Sequence, residues 1–459
     1  MSSVRPGAGS SRPYRFPRAI ESETANGLRI IVLPMPARPL ASVQLSLPSG
    51  AAAESPQNSG ITTALARLLT EGGERHDADG LVEASEILGA KLVAESGWES
   101  LVVGATLPAG RLAGILELMA EIALAPRLPE REIDRVKALR LAAIEQAQAS
   151  PRARANEALI AEIYDETAAY SRPAGGTRES VSAIDRSALL ARHQQLLASG
   201  RPTIVIAGEI DPAVAIRTVQ ESPLAALTVG GRETSSIPDK ASAVSSQVAG
   251  SPRLLLLDRP GSVQSELRVG RLGRSRLDPL FHAALIHAEI LGGLFGSRLN
   301  RVLREEKGYT YGAAAGFDFR RARGPFTART AVETSVTRDA LIEARRQLES
   351  FHSSPATEEE LTAARQYLRG TFPLRFGNAP AVASAVTALV ASGLGVDELD
   401  RFQSAVEAVP ASDVARVAED LAAERERIVV VGDARTIEAP LRDAGFAVEV
   451  RHEPGSEHS

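Results

Sequence analysis

The sequence predicts an α+β fold written twice: two homologous α/β sandwich domains, each an antiparallel-rich sheet packed against helices and related by internal duplication. Three observations carry this. A pair of strand-like runs opens the chain, residues 27–33 and 41–47, and a similar pair recurs at 253–258 and 265–269, so that Leu33 corresponds to Leu257. A helical stretch at 111–124 followed by LPEREIDRVKALRLAAIEQ is matched by 338–350 followed by ATEEELTAARQYLRGTF, where Ile133 corresponds to Leu361. The runs TIVIAGEIDP and RIVVVGDART close the two units, and Gly208 and Gly432 are separated along the chain by the same offset as Leu33 and Leu257.

Taken in order, residues 1–19 are rich in Arg and Ser, and Pro6, Pro13 and Pro17 break any amphipathic helix there, so a disordered leader is expected. The N-terminal domain is placed at 20–227. Within it Val43, Leu45 and Leu47 alternate as in a strand with one apolar face. Residues 228–251 are rich in Ser, Gly and Ala with few large apolar side chains and read as a linker. The C-terminal domain is placed at 252–450, and 451–459 as a tail.

Composition narrows the function. Lys plus Arg number 52 against 57 Asp plus Glu, a net charge of −5, which is unlike a nucleic-acid binder. Cysteine is absent, which removes disulfides, thiolate metal sites and thiol nucleophiles. Aromatic residues make up only 4%, which weakens the case for a base- or sugar-stacking surface. No apolar run approaches the roughly 18 residues of a membrane-spanning helix, and the first 20 residues lack the apolar stretch of a secretory signal. A soluble chain with no membrane span is expected, with the cytoplasm favoured.

Three segments hold candidate chemistry. In 60–73, Ile61, Ala64, Leu65, Leu68 and Leu69 repeat at helical spacing, while Thr63 and Arg67 share the other face with Ala66 beside them. In 291–312, Ser297 can cap a helix running to about Lys307 and Gly308 can close it, after which Tyr309-Thr310-Tyr311 starts a strand with both tyrosines on one face. That geometry brings Arg304 and Tyr311 close together. The Gly292-Gly293 pair ahead of it lacks the Lys-Ser/Thr of a phosphate loop and reads as a turn that lets a peptide backbone approach. In 281–289, His282 and His287 lie five residues apart on a helix and point about 140° from one another, poorly placed for one metal. No Ser-His-Asp pattern has local support.

The frame G-I-T-T-A-L-A-R-L-L-T-E-G-G resembles the zinc helix of the pitrilysin/insulinase metallopeptidases, the inverzincins, whose frame carries H-x-x-E-H. The resemblance puts the two His ligands at Thr63 and Arg67, the catalytic Glu at Ala66 and the distal Glu ligand at Ala143. All four are lost. Zinc requires lone-pair donors. Alanine offers none, Thr is a poor ligand, and Arg67 is a permanent cation with no acceptor. Glu145, two residues beyond Ala143, would point elsewhere.

The second segment resembles the family's other active-site element, R-x6-Y, in Arg304 and Tyr311 within L-G-G…S-R-L…L-R-E-E-K-G-x-x-Y. An aliphatic residue is usual where Tyr309 stands. The resemblance implies that Arg304 and Tyr311 hold a peptide backbone and stabilise the tetrahedral intermediate, with Gly292, Gly293 and Ser297 near the substrate channel. The other reading of the same residues is that Arg304 pairs with a nearby Glu and Tyr311 merely packs. The resemblance covers about 20–450 and implies a chain that binds no zinc or other cofactor itself and is inactive alone. A zinc-bearing homologous subunit would complete a heterodimeric peptidase. The alternatives are a non-enzymatic peptide-binding or scaffold subunit of the same fold, and self-association into an inactive homodimer.

Overall fold

The computed structural model describes residues 14–36, 39–230, 253–421 and 426–452. The strands are β1 (Ile20–Glu23), β2 (Arg29–Pro34), β3 (Leu40–Pro48), β4 (Val93–Ser96), β5 (Ser100–Pro108) and β6 (Thr203–Gly208), then β7 (Arg253–Asp258), β8 (Gln264–Leu272), β9 (Ala313–Phe317), β10 (Pro325–Glu333), β11 (Arg427–Gly432) and β12 (Ala447–Arg451). They form two six-stranded sheets of order β1-β2-β6-β3-β5-β4 and β12-β7-β11-β8-β10-β9.

The duplication holds to the level of register. Val43 pairs with Ile206 in the first sheet and Leu267 with Val430 in the second, and both counterparts keep the offset of Leu33 and Leu257. In both sheets the second and third strands of that order are parallel, as in β2 with β6 and β7 with β11, and the next three pairings are antiparallel. The edge breaks the symmetry. β1 adds antiparallel to β2, whereas β12 adds parallel to β7.

The central strands are continuous apolar runs because both faces of each sheet are covered. Ile30 and Val32 face a core formed with their own half's helices, while Ile31 and Leu33 face a core built mainly by the C-terminal half. In the second sheet Leu254 and Leu256 face that larger core, and Leu255 and Leu257 face a third cluster with Ala155, Leu159 and Ile163. The two halves exchange a helix to achieve this. Helix Pro151–Ile163 of the N-terminal half lies on β8 and β11, and helix Ala379–Ala391 of the C-terminal half lies on β3 and β6. Their starts keep the offset of Ile133 and Leu361, and each carries a capping side chain, Ser150 and Asn378. The polar face of β3 is therefore covered: Ser42 and Ser46 are buried, and the Gln44 amide donates to Ser384 Oγ at 2.7 Å.

Several expectations need correction. The leader does not extend to residue 19, because Tyr14 stacks on Phe376 and Phe16 meets the same ring edge-on at 5.0 Å between centroids, buried in the C-terminal core. Arg451 closes β12 instead of opening a tail, and its guanidinium reaches Glu162. Of the linker, 231–251 lies outside the described residues, as does residue 252 of the C-terminal domain.

Candidate functional site

The first predicted segment forms helix Ile61–Leu69. Its N-terminus is held by a carboxylate that the sequence pattern does not reveal. Glu54 accepts from Gly60 N at 2.7 Å and from Thr62 N at 2.8 Å, as suits a negative charge at a helix start. Burial pushes the Glu54 pKa up, against those hydrogen bonds and the nearby Arg192 guanidinium. Arg192 is itself buried and donates to Thr62 Oγ1, Ser49 O and Gly50 O.

Thr63 faces a cavity of about 300 Å³ shared with Arg67 and Ala143, so three of the four positions that the resemblance assigns to the metal site converge on one cleft. The fourth does not. Ala66 is 2% exposed and belongs to the apolar core, not to the face of Thr63 and Arg67. Thr63 Oγ1 is engaged, donating to Ala174 O and lying 2.9 Å from Ser96 Oγ. Glu145 points away and pairs with Arg178 at 2.8 Å. The residues present do not fit a zinc ion. Arg67 and Arg140 bring positive charge to the cleft, and its one carboxylate, Glu71, pairs with Arg135. All of the cleft's lining residues come from the N-terminal half.

The second segment differs in detail from its expected form. The chain from Glu289 to Gly293 is not a turn but a π-helical end to helix Phe281–Ala288. A Cβ on Gly292 would stand 2.2 Å from Ala315 N, so its smallness allows packing against β9. Ser297 precedes the next helical stretch, Arg298–Asn300, and is buried, its Oγ accepting from Asn300 Nδ2. The helix continues as a π-helix, Arg301–Glu306, and Gly308 at φ +65° turns the chain out of it. β9 begins only at Ala313, so Tyr309 and Tyr311 are not on one strand face. Tyr309 packs partly against the core, whereas Tyr311 is 97% exposed.

The intervening Thr310 explains this presentation. Its hydroxyl donates to Ala331 O at 2.8 Å and receives Thr330 Oγ1 and Gly312 N, which pins the segment to β10 beside Tyr311. Arg304 lies over the Phe295 ring at 4.2 Å and has no carboxylate partner among the described residues. Its ring partner is Phe295, not Tyr311. The neighbouring Arg298 is the structural arginine, buried and forked onto Glu360. No motif in the sequence points to Phe295. The available signal was a large apolar residue between two glycines and ahead of the helix cap.

The histidines do not form a centre. His282 packs against Phe281 and Phe402 near Glu398, while His287 is buried among Phe317, Phe326 and Phe351, and burial with three nearby arginines lowers its pKa to about 3. Among the described residues no cluster of three or more His, Cys, Asp or Glu could hold a metal, and no single helix is long and apolar enough to cross a membrane.

A duplicated two-sheet fold, whose first helix offers no metal ligand at Thr63, Ala66 or Arg67, defines the class as a degenerate metallopeptidase-type chain. Residues 29–175 match insulinase, peptidase family M16, and 183–368 match the peptidase M16 inactive domain. The chain belongs to the insulinase-like M16 peptidase family. It is 24% identical over 364 residues to an uncharacterized zinc protease of Mycobacterium leprae, covering 79% of this chain and 80% of that one. The structure of the peptidase M16 inactive domain from Pseudomonas fluorescens superposes with a TM-score of 0.79 at 21% identity, covering 90% of this chain and 98% of that one. A protease from Helicobacter pylori superposes with a TM-score of 0.80 at 16% identity, covering 91% and 100%.

Proposed function

We propose that this chain is the zinc-less subunit of a heterodimeric M16 peptidase, inactive alone, which lends Arg304 and Tyr311 to peptide-bond hydrolysis at the zinc site of a homologous partner. The observation that carries this reading is the state of those two side chains. Tyr311 is 97% exposed and its hydroxyl has no hydrogen-bond partner among the described residues, while Arg304 has no ion pair there. A tyrosine kept for packing ordinarily buries most of its ring, and an arginine kept for an ion pair has a carboxylate in reach. Neither description fits here.

The chemistry suits the role. A guanidinium presents forked donors to a peptide carbonyl, and a phenol presents one directed donor to a developing oxyanion. The cleft at Thr63, Arg67 and Ala143 is lined by the N-terminal half alone, which fits a second active-site element working in trans. Identifying the chain that copurifies from the native cell tests the reading. Recovery of an M16 protein with intact H-x-x-E-H, whose peptidase activity requires this chain, is expected. Purification as a homodimer, with full activity in the sister chain alone, would favour the scaffold alternative.

A further inference from the structure

The cleft that stands where the resemblance puts the metal has acquired its own chemistry. Arg67, Arg135, Lys137 and Arg140 line it against the single carboxylate of Glu71, a local excess of positive charge in a chain whose net charge is −5. Part of that charge is matched from outside the lining, by Glu157 near Arg140 and Asp185 near Lys137, and part is not. Glu71 and Glu132 both go to Arg135. Arg140 spends its Nε on Gly175 O at 2.8 Å, and Lys137 spends one donor on Ile184 O at 2.7 Å. Arg67 is exposed, and its side chain makes no hydrogen bond or ion pair among the described residues. Apart from Thr63, the remainder of the lining carries no polar side chain. It includes Val136, Ile184 and Leu139, and Leu139 leaves 59% of its surface open beside the cationic groups.

We propose that this cleft is a carboxylate-binding site, in which Arg67 and Arg140 with Lys137 receive the oxyanion of a ligand whose small apolar body lies along Val136, Leu139 and Ile184. Guanidinium forks match the two oxygens of a carboxylate, and charge-assisted bonds of this kind are the stronger ones. A cavity of about 300 Å³ is at the small end of ligand pockets and suits one side chain plus its carboxylate. The site is independent of Arg304 and Tyr311. Two sources share its chemistry, the C-terminus of a peptide and a free branched carboxylate.

Calorimetric titration of the full chain with N-acetyl-Leu-Leu, its C-terminal amide, 4-methylpentanoate and inorganic phosphate tests the site. The free carboxylates are expected to bind, the amide at least tenfold more weakly, and affinity is expected to fall with added salt. Arg67→Gln is expected to weaken carboxylate binding about ten- to a hundredfold. Because the Arg67 side chain makes no hydrogen bond or ion pair among the described residues, unchanged circular dichroism is expected to accompany that loss. Tyr311→Phe is expected to bind as the parent does, which separates this site from the proposed peptidase role. Tighter binding of the peptide assigns the source as a chain terminus; tighter binding of 4-methylpentanoate assigns it as a free carboxylate. Equal binding of the amide, equal binding of phosphate, no heat at millimolar ligand, or indifference to Arg67→Gln would each overturn the proposal.

Discussion

The Arg304 guanidinium carbon sits 4.2 Å from the centre of the Phe295 ring, and Phe295 itself is 70% exposed. Tyr311, the other residue of the proposed substrate-holding pair, is 97% exposed. In a chain with only 4% aromatic residues, these are two open rings in the segment that carries the proposed substrate-holding pair. The ring beneath Arg304 fixes the direction of the guanidinium without spending any of its donors.

Removing that platform isolates its contribution. Phe295→Ala deletes an exposed cation–π contact worth about 0.5–1 kcal/mol. In the reconstituted peptidase, kcat/KM is expected to fall roughly two- to fivefold, with thermal stability nearly unchanged. Phe295→Tyr should restore it.

The exchanged helices make the halves mutually dependent. Val382, Val386 and Ala383 of helix Ala379–Ala391 are fully buried in a core that also holds Ile31, Leu33, Val205 and Ala207 of the first sheet. Produced alone, residues 1–230 or 253–459 would leave one face of a sheet open and are expected to aggregate. Co-expressed as separate chains, they are expected to copurify as a one-to-one pair with native-like melting.

His287 supplies a pH dependence. It is 1% exposed, its ring nitrogens have no hydrogen-bond partner among the described residues, and its pKa is lowered to about 3, first by burial and then by Arg298, Arg271 and Arg274. The unfolded chain takes up a proton near pH 6.5 that the folded chain refuses. Stability from this residue is therefore fully present above pH 6.5 and declines as pH falls toward 3. Denaturant titrations at pH 7 and pH 4.5 are expected to show a smaller loss for His287→Leu than for the parent chain.

The lost metal helix is not simply repaired. Ala66 is 2% exposed in the apolar core, so Ala66→Glu buries a carboxylate without a partner. A loss of about 1–3 kcal/mol in unfolding free energy is expected. It should grow as pH rises through the ordinary carboxylate range, because burial raises the folded-state pKa.

The duplicated fold was legible because the central strands and the helices beside them kept their spacing. Leu33 and Leu257, and Gly208 and Gly432, sit at matching places in the two sheets. The helix exchange was not legible, since Ser42, Gln44 and Ser46 read as a solvent face and only the other half's helix shows why Ser42 and Ser46 are buried. At the candidate site the residue types were readable and their setting was not. Glu54 and Arg192 act largely through backbone groups of Gly60, Ser49 and Gly50, which leave no side-chain pattern. The late start of β9 follows from local bonds, Thr310 to Ala331 O and Ala313 N to Asn300 Oδ1, that strand periodicity does not record.

One substitution bears most directly on the proposed role of this subunit: Tyr311→Phe, assayed for turnover in the complex with the zinc-bearing partner. Phenylalanine keeps the exposed ring and removes only the hydroxyl. Loss of one donor to an oxyanion is expected to cut kcat by about 10²–10³, with assembly unchanged and with Tyr309→Phe nearly silent. Full turnover in the Tyr311→Phe complex would contradict the role given to this chain and leave Arg304 and Tyr311 outside the chemistry.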